Sequence, residues 1–158
     1  MKIGFVAAAA CALLAATPAL ALEAAATVDV AASPEKVWQT IGGFCGIADW
    51  HPAVTKCVPG RQGAAPTRTL TLGNGATLVE EQTARDDAAM RYTYTILKGP
   101  LPVQDYHSTI SVTPKGTGST ISWSGDFKAK GASDADATKA IQGIYDSGLA
   151  ALAAKAKS

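Results

Sequence analysis

The chain has 158 residues, 14 Lys and Arg against 13 Asp and Glu, and 47% hydrophobic side chains, which suits one domain with a sizeable core. With no basic excess and no basic cluster it carries no electrostatic footprint for nucleic acid or an anionic membrane surface, and nucleic acid is not expected as a partner.

Residues 1–21 read as a secretory signal peptide. Lys2 precedes an uncharged apolar segment running from Ile3 to Leu14, and Pro18 then leads to the small-x-small pattern Ala19-Leu20-Ala21. The segment is shorter than the roughly 20 residues a bilayer span requires, so no membrane span is expected. Cleavage there leaves a periplasmic or secreted domain, residues 22–158. Only Lys2 leaves the charge count, so 13 basic and 13 acidic side chains remain.

The remaining elements follow in order. Residues 27–30 alternate as a strand, and Ser33-Pro34-Glu35-Lys36 supplies an N-cap with proline at the first helical position. A short helix with Val37, Trp38 and Ile41 is expected to end at Gly42-Gly43. A second short helix or turn covers 44–50, and Pro52 prevents it from continuing past His51.

Six strands should follow, over 54–58, 67–72, 76–84, 91–97, 103–113 and 119–127. Turn chemistry separates them at Pro59-Gly60, Gly73-Asn74-Gly75, Asp86-Asp87, Gly99-Pro100 and Lys115-Gly116. Alternation puts Tyr92, Tyr94 and Ile96 on one face, with Tyr106, Ser108, Ile110 and Val112, and Ile121, Trp123, Gly125 and Phe127. That face should be the inner one, and His107, in the opposite phase, should face outward.

Residues 133–157 close the chain as a long helix. Ser133 and Asp136 form a weak capping box, acidic residues occupy the first turn, and Lys155 and Lys157 the last. Ile141, Ile144, Tyr145, Gly148, Leu149 and Leu152 form one apolar stripe. The order predicts an α+β fold, with an antiparallel sheet of about seven strands curling around the C-terminal helix and two short helices after the first strand.

The residues that give this order a specific likeness are Val30-x-x-Ser33-Pro34-x-x-Val37-Trp38, Asp49-Trp50-His51-Pro52, Glu80, Asp86-Asp87 ahead of Arg91-Tyr92-x-Tyr94, Gly99-Pro100-Leu101-Pro102-Val103, Asp105-Tyr106 and Trp123-x-x-x-Phe127. Together they resemble the START-related, birch-pollen-allergen-like SRPBCC superfamily, and within it the polyketide cyclase/dehydrase-like exported bacterial proteins. The resemblance implies a helix-grip fold with a cavity between sheet and helix. It leaves activity open, because the superfamily includes lipid-transport proteins, hydrophobic-ligand binders, cyclases and helper proteins.

Cys45, Asp49, His51 and Cys57 are suitable metal ligands by type, but their spacing matches no common zinc pattern, and no metal is expected. In an oxidising compartment Cys45 and Cys57 can instead form a disulfide. A Cys–His nucleophilic pair, with Asp49 orienting His51, has the right residue types without a recognised local signature.

The inward candidates are stronger. Glu80 shares its phase with Leu78 and Gln82, and a carboxyl directed into an apolar cavity is an acid/base candidate. The alternative is that Glu80 bonds to a tyrosine hydroxyl or a strand-end backbone group. Tyr92, Tyr94, Tyr106 and Trp123 should line the same space, with Trp50 and His51 near its mouth, and Gly143 and Gly148 on the helix leaving room.

The leading expectation is an exported binder of a small hydrophobic or aromatic molecule, with no cofactor. One alternative is a cofactor-independent cyclase, dehydratase or aldol-type lyase with Glu80 as acid/base. The other, implied by the resemblance, is an accessory partner of a periplasmic dehydrogenase such as that of the methanol-oxidation system.

Overall fold

The computed structural model describes residues 21–158; most of the expected signal peptide therefore lies outside the described residues. The elements are β1 (Leu22–Val30), α1 (Pro34–Ile41), α2 (Ile47–Trp50), β2 (Val54–Gln62), β3 (Ala65–Leu72), β4 (Thr77–Asp86), β5 (Arg91–Lys98), β6 (Val103–Lys115), β7 (Gly118–Ala129) and α3 (Asp134–Lys157). The seven strands form one antiparallel sheet in the order β1-β7-β6-β5-β4-β3-β2. The first and last strands are thus neighbours, while β2 forms the far edge.

Both longer helices begin as their sequences predict. The Ser33 side chain accepts from the Lys36 amide at 3.3 Å, and Ser133 Oγ accepts from the Asp136 amide at 3.1 Å, each satisfying a donor that the first helical turn leaves without a partner. α3 buries Ala137, Ile141, Tyr145, Leu149, Leu152 and Ala156 along one stripe. That stripe rests chiefly on β1, β7 and α1. The other half of the sheet, β2 to β5, curves away from the helix, and the space between them is where a cavity forms.

Three expectations need correction. Pro59-Gly60 is not a turn: β2 runs through it to Gln62, and the reversal falls at Gly63, where φ is +59°. An edge strand tolerates a residue that cannot donate to the ladder, and β2 is an edge. The first strand does not begin at 27 but takes in the Ala-rich residues 22–26, because these pair with Phe127 through Trp123 of β7, and such pairing outweighs alanine's weak strand preference. Strict alternation also fails in β6. Asp105 takes a positive φ of 50° at a bulge between Gln104 and His107, so Val103 and Tyr106, three apart, both point inward.

Candidate ligand cavity

A cavity of about 360 Å³ lies under the inner face of β2–β5, bounded by α2 and by Ile144 of α3. Its walls are mostly aliphatic and aromatic, among them Ile47, Leu70, Leu78, Ile96, Leu101 and Trp123. Its polar members are His51, Glu80, Tyr94 and Tyr106 within, and Asn74 in the exposed β3–β4 turn. The fold thus gathers onto one wall five residues expected from the sequence: His51, Glu80, Tyr94, Tyr106 and Trp123.

Trp50 and Tyr92, expected beside them, do not line the cavity. The Trp50 indole N–H donates to the Ile41 carbonyl at 3.3 Å and its ring meets Trp123 edge-on. Tyr92 is covered by Phe44 and Trp38, with ring centroids at 5.8 and 6.2 Å. The inner face of the curved sheet is divided between cavity and packed core, and both residues fall on the core side.

The largest departure from expectation is Arg68. It stands opposite Glu80 in the β3–β4 register, and its side chain is fully buried. Arg68 Nε–H donates to Glu80 Oε2 at 2.6 Å, and Nη1 donates to the Phe44 carbonyl. The guanidinium stacks 4.0 Å from the Phe44 ring centroid and 5.1 Å from that of Tyr94. Among the described residues only Nη2 finds no acceptor. Glu80's partner is therefore a cation on the neighbouring strand, neither a tyrosine hydroxyl nor a strand-end backbone group.

This pairing changes what Glu80 can do. Burial pushes its carboxyl up and Arg68 pulls it back without cancelling the burial. Burial opposes the charge on Arg68 most strongly, but Glu80, Tyr92 and Tyr94 together outweigh it and hold the guanidinium above its ordinary value. Arginine does not give up its proton, so a neutral Glu80 would leave a buried cation uncompensated, and the pair is ionised at neutral pH. Glu80 Oε2 is committed; Oε1 receives no hydrogen bond among the described residues and is not among the sealed-off polar atoms.

The tyrosines form a chain whose direction can be assigned. Ser108 Oγ donates to the Ser124 carbonyl at 2.8 Å, so at 3.0 Å it must accept from Tyr145. Tyr145 then accepts from Tyr106 at 2.6 Å, and Tyr106 from Tyr94 at 3.3 Å. The Trp123 indole N–H serves both Tyr94 and Ser108, at 3.1 and 3.0 Å. Each hydroxyl proton is spent on the next member, and the run ends on a backbone carbonyl. Burial raises all three phenols well above their ordinary range or, for Tyr145, to about 12. Gly125, in the inward phase of β7, leaves the space that the Tyr145 hydroxyl occupies.

His51 is equally committed. Its Nδ1 accepts from the Ala53 amide at 3.1 Å, which leaves the proton on Nε2 to donate to the Ile144 carbonyl at 3.1 Å. The imidazole thus ties the α2–β2 junction to the middle of α3. A Cβ on Gly148 would stand 2.6 Å from His51 and 2.7 Å from Trp123, so that glycine admits these rings rather than opening the cavity. Gly143 is exposed and does not border it.

Burial depresses His51 below its ordinary 6.5, with Arg68 adding to the effect and the Ile144 carbonyl opposing it. Between the folded and unfolded values the unfolded chain binds the extra proton, so stability is present above pH 6.5 and falls as pH drops below it. Urea midpoints taken from pH 7.5 to 5 should therefore decline more steeply for the natural protein than for His51→Gln. Parallel curves would mean that His51 does not titrate on unfolding.

Cys45 and Cys57 are joined in a disulfide, with Cα atoms 5.5 Å apart. That consumes both thiols, so neither is a nucleophile for His51. No cluster of His, Cys, Asp and Glu suited to a metal is found among the described residues, and His107 is exposed on the outer face of the sheet.

A family model described as polyketide cyclase/dehydrase and lipid transport matches residues 21–157. Among solved structures, the protein XoxI from Bacillus cereus is 34% identical, with a TM-score of 0.80 over 85% of this chain and 94% of that one. A Thermobifida fusca protein is 28% identical, with a TM-score of 0.74 over 85% and 92%. The Zhui aromatase/cyclase from a Streptomyces species shares the fold at 19% identity and a TM-score of 0.72, over 87% and 94%. No curated protein matches the chain.

Proposed function

Since the chain belongs to the polyketide cyclase/dehydrase and lipid transport family, we propose that it is an exported protein that holds a small hydrophobic or aromatic molecule between β2–β5 and α3. The observation that carries this reading is the cavity of about 360 Å³, of the size and mostly apolar character of small-molecule sites. Export is supported by the leader-like residues 1–21 and by the Cys45–Cys57 disulfide, a bond that persists in oxidising compartments. No helix among the described residues is long and apolar enough to cross a membrane.

Binding is favoured over turnover because most of the chemical groups on the wall are already engaged. A general acid must carry a proton to give, whereas Glu80 is held ionised by Arg68, and as a base it has only Oε1 free, with a basicity that the neighbouring guanidinium lowers. An oxyanion needs donors aimed at it, whereas the tyrosine protons run toward Ser124.

Native mass spectrometry of protein recovered from the periplasm of an expressing bacterium tests the proposal. A small apolar adduct should accompany the natural chain and be absent from Ile144→Trp, whose larger ring would fill the cavity from the helix side. An adduct retained in full by Ile144→Trp would count against this cavity as the binding site.

A further inference from the structure

The hydrogen bonds around the cavity have a common polarity, and that polarity restricts the ligand. The deep donors on the inner wall are already in use, and the Asn74 amide, in the exposed β3–β4 turn, is the one other side-chain donor on the lining. Tyr94 O–H is directed to Tyr106, Tyr106 O–H to Tyr145, the Trp123 indole N–H to Tyr94 and Ser108, and His51 Nε2–H to Ile144. The two buried side-chain donors that find no partner among the described residues, Arg68 Nη2 and Gln82 Nε2, belong to residues outside the lining. The wall does offer an acceptor. Glu80 lines the cavity with one oxygen bound to Arg68 and the other open.

We propose that this cavity selects a neutral ring compound bearing a hydroxyl or N–H donor, such as a phenol or an enol, and rejects carboxylates. The inference rests on the cavity-binding reading and gives it a substrate class. A phenolic hydroxyl in the cavity donates to Glu80 Oε1 while its ring packs against Leu70, Leu78 and Trp123. The bond to an ionised and buried acceptor is worth more than its counterpart in solution. An ether of the same shape buries the same apolar surface but leaves the carboxylate oxygen without the donor, and a site with a buried polar group left unpaired discriminates strongly. A ligand carboxylate meets a like charge on the wall and finds no spare donor beside Glu80, the Asn74 amide lying in the exposed turn, so its desolvation is uncompensated. Arg68 does not relieve this, because its guanidinium sits behind Glu80, held by the Phe44 carbonyl. Arg68 is a positioning residue: it keeps Glu80 charged and turned so that Oε1 faces the ligand.

Calorimetric titration of the disulfide-intact protein with 2-naphthol, 2-methoxynaphthalene and 2-naphthoate at pH 7 tests this. The naphthol should bind at least about tenfold more tightly than the ether, the equivalent of one charge-assisted hydrogen bond, and the naphthoate should be weakest. In Glu80→Gln the preference for naphthol over ether should shrink to within about threefold, because the charged acceptor is gone. Should that variant fail to fold by circular dichroism, the ratio in the natural protein still decides. Equal binding of naphthol and ether, or tighter binding of the naphthoate, would overturn the polarity inference while leaving cavity binding intact. Failure of all three probes to bind would overturn both.

Discussion

Arg68→Met is expected to destabilise the protein by about 3–5 kcal/mol at neutral pH, the cost of leaving a buried charge without its partner. The substitution roughly preserves volume and keeps a flexible apolar chain beneath Phe44 and Tyr94. What it removes is the cation that faces Glu80 at 2.6 Å and the donor to the Phe44 carbonyl. The effect also has a pH signature. Without Arg68 only burial acts strongly on Glu80, so its folded-state value rises further above the unfolded one, and the folded chain binds more protons in that window. Stability of the variant should therefore fall as pH rises from about 5 to 7, opposite in sign to the His51 contribution in the natural protein. Adding Glu80→Leu to Arg68→Met should recover most of the loss, as replacing both members of a buried pair with apolar residues is often neutral. Urea melts of the two single variants and the double variant complete the cycle. Additive losses would show that the two side chains are not coupled.

The second large effect belongs to the disulfide. Cys45 and Cys57 are twelve positions apart, and in the chain-entropy account closing a loop of that size stabilises by about 3 kcal/mol. Cys45→Ala with Cys57→Ala should lower the urea midpoint accordingly, and a dithiol reductant should lower that of the natural protein while leaving the variant unchanged. Cys45 directly follows Phe44, whose ring and carbonyl both hold Arg68. Loosening this loop should consequently weaken 2-naphthol binding as well as stability, even though neither cysteine touches the cavity. An unchanged midpoint would argue that the unfolded chain is already constrained in this region.

The fold was largely legible because most strands announce themselves by alternation and because Gly73-Asn74-Gly75 and Lys115-Gly116 are turns wherever they fall. Legibility failed where tertiary placement overrides local preference. Pro59 looks like a stop signal unless its strand is known to be an edge, and 22–26 looks like a lead until β7 is there to pair with it. In the site, Glu80 and the inward aromatics could be read from phase, and so could Arg68, which alternates with Leu70 and Leu72 on a predicted strand. Their pairing could not, since it depends on the β3–β4 register, and the Phe44 carbonyl that anchors Arg68 belongs to a loop without periodicity. The direction of the tyrosine chain depends on Ser108 donating to a backbone carbonyl. No side-chain pattern encodes that.

The account centres on a ligand held inside the sheet–helix cavity, and methyl chemical-shift mapping during a 2-naphthol titration tests it most directly. Resonances of Leu70, Leu78, Ile96 and Ile144, all on the lining, should move together and saturate with one binding constant, while Thr93 and Thr109, which border a separate groove, stay in place. Movement confined to Thr93 and Thr109, or none at all with the fold intact, would contradict it.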